Sequence, residues 1–436
     1  MRGKPLVTCV SFIVIALTSA FARSPSAVAQ APLQVSLETS MATAVERHPS
    51  VTAAARALDA AQARLVQAKA GVSVQVLLTG RASTGTLTSL GAPTGGPPTS
   101  SHDVTVEASL SLYDGGTTAL QIQQAQAAVE AVAAALDAAR QDAALAAAQA
   151  FFQVLRALRL VDVREAAGRS AQRQLQQAEA FVRAGTAARA DVVKAQAAVA
   201  SAEADLVTVR GQVETALATL RGAMGLPLTQ ALSVVEPGDP VLVTVSPAEA
   251  SSQATAQRAE VRRVAADVRS AQAALRIAEL RAGVQVSVGT SGVVQVSPNP
   301  GQAGWSVSAT LNLPVADGGR AKAAVEEARA NLAAAMARAD TVTLQVQLQA
   351  FQAAISIRDS AARAEALRVS LAAADESQRV AEGRYAAGVG TLLEALDAQT
   401  LATQAGVGTV QARYDLHLAT VTLRHAVGLA LVARRS

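Results

Sequence analysis

The stretch that decides the fold starts at Asp114-Gly115-Gly116, passes through Ala184-Gly185 and ends at Arg221-Gly222-Ala223-Met224-Gly225-Leu226. It returns as Asp317-Gly318-Gly319, Ala387-Gly388 and Arg424-His425-Ala426-Val427-Gly428-Leu429, every landmark displaced by 203 positions, as 114 to 317. Lesser matches keep that register: Ala195-Gln196 with Ala398-Gln399, Arg210 with Arg413, and Leu220 with Leu423. An unbroken register of this length is an internal duplication, and two copies are too few for a solenoid. The chain therefore reads as two halves of one pseudo-symmetric unit.

Within each half the landmarks frame helices. No proline occurs between Pro98 and Pro227, so a helix runs from about Gly116 towards Ala184, roughly 100 Å at 1.5 Å per residue. Gly185 breaks it, and a return helix from about Ala188 to Met224 covers about half that length. The second half repeats this from Gly319 towards Ala387 and on to Gly428, with no proline after Pro314. Upstream, Ser36 offers an N-cap with Glu38 in the first turn, Pro49 interrupts, and Val51 to Ala70 continues at helical spacing. That last helix is long enough to stack end to end on the return helix and cover the other half of the long one. The strands then lie at one end of the long helix and Gly185 at the other.

Between these helices the period changes to two. Val72, Val74 and Val76 open a strand, a turn-rich loop spans Leu90 to Ser101, and Val104, Val106, Ala108, Leu110 and Leu112 line one face of a second strand. Val284, Val286 and Val288 open a third strand, Ser297 to Gly304 forms a loop, and Trp305 to Leu313 supplies a fourth. Ala271-Gln272-Ala273 resembles Ala61-Gln62-Ala63, outside the main register because the loops differ in length. The organisation expected is a signal segment (1–29), a first repeat (30–225), a connector rich in proline (226–255) and a second repeat (256–436).

Composition agrees with elongated helices rather than round cores, since aromatics are 2% of 436 residues while alanine, the best helix former, is abundant. Arg2 and Lys4, an apolar run from Leu6 to Leu17, and Ala27-Val28-Ala29 form a secretory signal pattern that contains Cys9. Without Arg2, Lys4 and Arg23 the formal charge falls from +4 to +1, which weakens a nucleic-acid reading. No later segment has about 18 consecutive apolar residues, so a membrane crossing has to use β-strands.

Four strands of about ten residues suit an outer-membrane thickness, but four cannot close a barrel and open edges are not tolerated in lipid. Oligomerisation follows: a dimer gives eight strands with a filled interior, a trimer twelve with room for a channel. The competing reading is a soluble helical protein with ordinary hairpins.

The chain resembles the TolC family of outer-membrane efflux ducts. The motifs are Leu37-Glu38 through Glu46-Arg47-His48-Pro49-Ser50-Val51, Leu112-Tyr113-Asp114-Gly115-Gly116, Arg183-Ala184-Gly185 with Asp191-Val192, Arg384-Tyr385 with Gly388-Val389-Gly390, Leu396-Asp397-Ala398-Gln399, and both terminal Leu-Arg…Gly-Leu elements. The resemblance implies a mainly α fold with a small transmembrane β part. Duplicated α-hairpins and four strands per chain would assemble as a homotrimer, a twelve-stranded barrel continued by a periplasmic helical tunnel. It also implies residence in the outer membrane of a Gram-negative bacterium, contact with outer-membrane lipid, a periplasmic adaptor (membrane fusion) protein, and an inner-membrane transporter of RND, ABC or MFS type that supplies the energy.

The site residues follow from that resemblance. Gly185 and Gly388 form the hairpin tips that the family offers to its adaptor, with Arg183, Asp191 and Gly390 beside them. Glu394 and Asp397 match the acids that ring the closed tunnel entrance, where a threefold carboxylate ring favours cations. At Gly390 this chain departs from the family's namesake, which has an arginine that holds the entrance shut. Asp114, Gly115, Gly116 and Asp317, Gly318, Gly319 mark strand-to-helix junctions, read as structural caps. Tyr113 and Trp305 flank strands as a sparse lipid-interface girdle. His48, His102, His417 and His425 lack metal spacing, and no Walker, G-x-G-x-x-G, G-x-S-x-G or H-E-x-x-H motif occurs, so neither enzyme activity nor a cofactor or metal is expected. The rivals are a periplasmic adaptor, which needs one hairpin flanked by compact β domains, and a soluble coiled coil, which needs sustained heptads.

Overall fold

The computed structural model describes residues 33–85, 99–239, 245–296, 302–312 and 316–432. The signal segment, most of the first strand loop and Leu313 lie outside these residues. The first half contains β1 (Leu33–Val35), α1 (Leu37–Arg47), α2 (Pro49–Ala70), β2 (Gln75–Gly85), β3 (Thr99–Tyr113), α3 (Thr117–Arg183) and α4 (Arg189–Ala223). The second contains β4 (Leu232–Val234), α5 (Pro247–Gln257), α6 (Ala259–Ala282), β5 (Gln285–Val296), β6 (Gln302–Asn312), α7 (Arg320–Ala386) and α8 (Leu392–Val427). α3 and α7 each have 67 residues and begin 203 positions apart, as the duplication predicts. β4 and α5 occupy the segment read as a connector; Ser246 caps α5 through Glu249 N–H as Ser36 caps α1 through Thr39 N–H.

Helix packing forms two successive rows along the long helices. Towards the strands the order is α2, α3, α6, α7; towards the tips it is α4, α3, α8, α7. Each row changes where one short helix ends and another starts. Gly225, just beyond α4, lies against Arg47 and His48 at the α1–α2 junction, and Gly428, the cap of α8, lies against Gln257 and Arg258 at the α5–α6 junction. The expected end-to-end stacking is therefore present in both halves.

The main core sits at this level. Phe151, Phe152, Val154, Leu220, Met224 and Tyr414 are buried together, with Val35 and Met41 closing it from β1 and α1. Few aromatics are available, and they are concentrated where α3 must hold neighbours on both sides: Phe151 and Phe152 meet edge to face at 5.7 Å. β1 and β4 pair in parallel across this belt. Glu236 ties the connector down by accepting hydrogen bonds from Arg159 and, at 2.9 Å, from the Tyr414 hydroxyl. Arg159, above all, holds the Glu236 carboxyl below its ordinary range.

The four long strands form one antiparallel sheet in the order β2-β3-β5-β6. Their bounds differ from expectation at several points: β3 already begins at Thr99, inside the segment read as loop, and β5 begins at Gln285, one residue after Val284. Val72 and Val74 precede β2, which begins at Gln75, because residues 71–73 are still bonded into the end of α2. β6 begins at Gln302 rather than Trp305, since Gln302 already pairs with Gln295. A register shift between Ser111 and Tyr113 sets Tyr113 opposite Val288 and makes Leu112 the extra residue.

Candidate functional site

Two regions carry functional geometry, the sheet and the hairpin tips. Register fixes the sheet's two faces. Val76 and Leu78 of β2, Val106 and Ala108 of β3, Val286 and Val294 of β5, and Trp305, Val307 and Leu311 of β6 share one face. Most are well exposed, Trp305 at 82%. The opposite face presents Thr79, Arg81, Thr105, Glu107, Ser109, Ser287, Ser291, Ser306 and Thr310, with Leu77 and Val293 as apolar exceptions level with Glu107. On the apolar face Thr290 donates its hydroxyl to the Ser306 carbonyl at 3.1 Å, so its polar group is satisfied. A large exposed apolar face backed by a polar one is what a wall between lipid and water requires. Trp305 lies within β6, three residues from its start, and Tyr113 ends β3 beside the helical junction.

The sheet passes into the long helices through the predicted junctions. Asp114 accepts from Gly116 N–H at 3.0 Å and Thr118 N–H at 2.6 Å; Asp317 accepts from Gly319 N–H at 2.9 Å and Ala321 N–H at 2.7 Å. Each carboxylate serves from two residues upstream of the helix cap, which is Gly116 or Gly319.

At the far end each long helix stops on a left-handed glycine, Gly185 at φ +75° and Gly388 at φ +72°. Thr186 N–H bonds Phe181 O and Val389 N–H bonds Arg384 O, closing both helix ends in the same way. The tips also pack on one another. Ala178, Ala195, Tyr385, Leu392 and Ala395 form a buried cluster, and the Phe181 and Tyr385 rings meet edge to face at 5.4 Å. Burial, reinforced by the Asp191 charge, pushes the Tyr385 hydroxyl above its ordinary range. Arg183 reaches Glu179 at 4.0 Å. Asp191 and Glu394 occupy equivalent first-turn positions of α4 and α8, and Glu394 N–H is capped by Thr391. Glu394 and Asp397 are exposed, three residues apart on one helix face, and neither forms an ion pair among the described residues. At Gly390 an added Cβ meets Arg384 Cβ at 3.0 Å and the Tyr385 nitrogen at 3.1 Å, so a side chain there is accommodated only if these neighbours give by a few tenths of an ångström.

Reasoning from sequence missed the Phe181–Tyr385 contact, although Arg384-Tyr385 stood among the motifs; its signal was an aromatic on each hairpin near the tip. The histidines, read from sequence as core or surface residues without metal spacing, have packing and hydrogen-bond roles. His425 Nε2 lies 3.1 Å from Asp142 Oδ1, His417 is buried and stacked 5.3 Å from Phe152, and His48 caps α2 through Ser50 N–H. Both cross-helix contacts reach α3, 283 positions away for His425, and so left no local trace. No group of metal-ligating side chains occurs among the described residues.

A family model described as outer membrane efflux protein matches residues 41–226 and 250–429. Outer membrane protein TolC of Escherichia coli is 26% identical over 71% of this chain and 66% of its own length; nodulation protein T of Rhizobium leguminosarum is 24% identical over 56% of this chain and 52% of its own. The chain thus aligns with about half to two-thirds of these relatives. The crystal structure of VceC from Vibrio cholerae superposes with a TM-score of 0.80 at 19% identity, covering 90% of this chain and 96% of that one. The two-faced sheet and the paired tips fall inside the matched residues, and the chain belongs to the outer membrane efflux protein family, resident in the outer membrane.

Proposed function

We propose that this chain is the passive exit duct of a tripartite efflux pump or type I secretion system, carrying cargo from the periplasmic side to the exterior. The observation that carries the reading is the four-stranded sheet, apolar and exposed on one face and polar on the other, set on two long hairpins of identical register. Both sheet edges, β2 and β6, lack a neighbour among the described strands. Lipid does not tolerate open edges, and three copies give twelve strands, enough to leave a channel. The protein does no chemistry; an inner-membrane transporter of RND, ABC or MFS type drives the cargo.

The tips at Arg183, Gly185, Asp191, Gly388 and Gly390 are the surface for a periplasmic adaptor, and Glu394 with Asp397 forms the acidic ring at the tunnel entrance. The Tyr385 cluster replaces the arginine latch missing at Gly390, because it joins the two hairpins where an opening must separate them. The test is single-channel conductance of the purified protein in planar bilayers, with its mass in detergent measured alongside. A trimer forming small, cation-preferring pores supports the duct. A membrane-bound monomer without pores refutes it. In the Glu394→Ala/Asp397→Ala variant, block by divalent cations from the periplasmic side should weaken, and unchanged block removes these two acids from the entrance.

A further inference from the structure

The polar face of the sheet is not uniform. Cross-strand register divides it into levels, and one level differs from its neighbours. Leu77, Glu107, Val293 and Gly304 stand in line across the four strands. One level nearer the helices the line is Gln75, Ser109, Ser291 and Ser306, and the last two hydroxyls lie 3.0 Å apart in a hydrogen bond. One level further out Thr79 faces Thr105. Uncharged polar groups therefore border a level that holds one carboxylate and two apolar side chains.

Glu107 is exposed, and among the described residues it forms no hydrogen bond or ion pair. Its direct cross-strand neighbours are Leu77 and Val293, positions whose Cβ atoms lie about 4.5–5.5 Å away in such pairs. Neither side chain can donate to a carboxylate or neutralise it. Arg81 stands two levels further out, opposite Asp103 in register, so the formal charges of that pair cancel. Leu77 is 61% exposed on the side that otherwise meets water. Its apolar surface and the Glu107 charge are thus offered side by side. Glu107 lies six residues from Tyr113, about 20 Å into the wall from the helical junction.

We propose that this level is a charge filter within the wall, separate from Glu394 and Asp397 at the far end of the long helices, and that it favours cations bearing apolar groups, such as alkylammonium ions. Several copies place several Glu107 carboxylates around one lumen, and a ring of acids attracts cations. Leu77 and Val293 add low-dielectric surface beside the charge, which concentrates its field on the lumen. They also give an alkyl group a surface to lie on. A small inorganic cation gains the first effect alone, and an organic cation gains both. Because a ring needs several copies, the placement rests on the oligomeric duct proposed above.

Charge changes made after assembly test it. The chain has a single native cysteine, Cys9, in the segment read as a signal, so Glu107→Cys brings a thiol that can be modified in the finished pore. In the Glu394→Ala/Asp397→Ala background, the reversal potential in a potassium chloride gradient should still show a preference for potassium. Adding Glu107→Cys should abolish that preference. A negatively charged methanethiosulfonate reagent should then restore it, and a positively charged one should reverse it. The Glu107 share should also fade as salt is raised, since the screening length falls from about 10 Å at 0.1 M to about 3 Å at 1 M. In the otherwise unaltered protein, tetrabutylammonium should suppress potassium conductance at a lower concentration than tetramethylammonium, and Leu77→Thr/Val293→Thr should close that gap. A pore whose ion preference does not follow the charge placed at position 107, or that is suppressed equally by the two ammonium ions, overturns the filter and leaves the duct standing. A monomeric mass in detergent without pores overturns the duct and the filter together.

Discussion

Replacing Gly225 with alanine tests the reading that each row of helices is continuous because one helix end is seated on the next. Gly225 has φ +66°, and a Cβ there would meet Arg47 O at 2.7 Å, Arg47 C at 2.9 Å and His48 Cα at 3.2 Å. All three are backbone atoms and cannot swing aside. The left-handed conformation costs an L-residue about 1–2 kcal/mol, and overpacking into fixed neighbours adds about 1–3 kcal/mol, so Gly225→Ala should destabilise by roughly 2–5 kcal/mol. Gly185→Ala separates the two contributions, since φ is +75° but no atom lies within 4 Å of the added Cβ. It should lose only about 1–2 kcal/mol. Any gain from stiffening the unfolded chain is common to both and leaves the difference intact. Gly428→Ala, whose Cβ meets Gln257 and Arg258 at 3.0–3.1 Å, should fall between them. Urea unfolding followed by helical circular dichroism in one detergent gives the comparison. A Gly225→Ala variant no less stable than Gly185→Ala refutes the seating of α4 on the α1–α2 junction.

Other outcomes follow from the junctions, the belt and the wall. Asp114→Ala removes the bonds to Gly116 and Thr118 N–H and should lower stability by about 1 kcal/mol, with Asp114→Asn losing less, by the same unfolding assay. Glu236→Gln should loosen the connector by about 1.5–3 kcal/mol near neutral pH, read from the midpoint of unfolding. Because Glu236 is held below its ordinary value of 4.5, chiefly by Arg159, its contribution is fully present above that value and is lost as pH falls through the lowered one; the gap between wild type and variant should close there. Val106→Arg places a charge on the lipid face, costing about 2–4 kcal/mol at mid-membrane, and should reduce trimer recovered from outer membranes, while Thr105→Arg, one residue away on the polar face, should assemble and alter conductance.

The sequence alone determined the duplication, the ends of the long helices to within a residue, the glycine breaks and the four strands, because these depend on local chemistry: proline-free runs, left-handed turns and a change of period from 3.6 to two. It placed Asp114, Asp317, Gly185 and Gly388 for the same reason. The tertiary structure decided what depends on contacts between distant positions. The Phe181–Tyr385 contact joining the tips, the partners of His417 and His425, the Leu112 bulge and the pairing of β1 with β4 all join segments far apart in the chain. Above all, the duplication made the two halves equivalent, and only packing made them differ. α3 lies between neighbours while α7 stands at an edge, because a row of four helices in one chain has two ends.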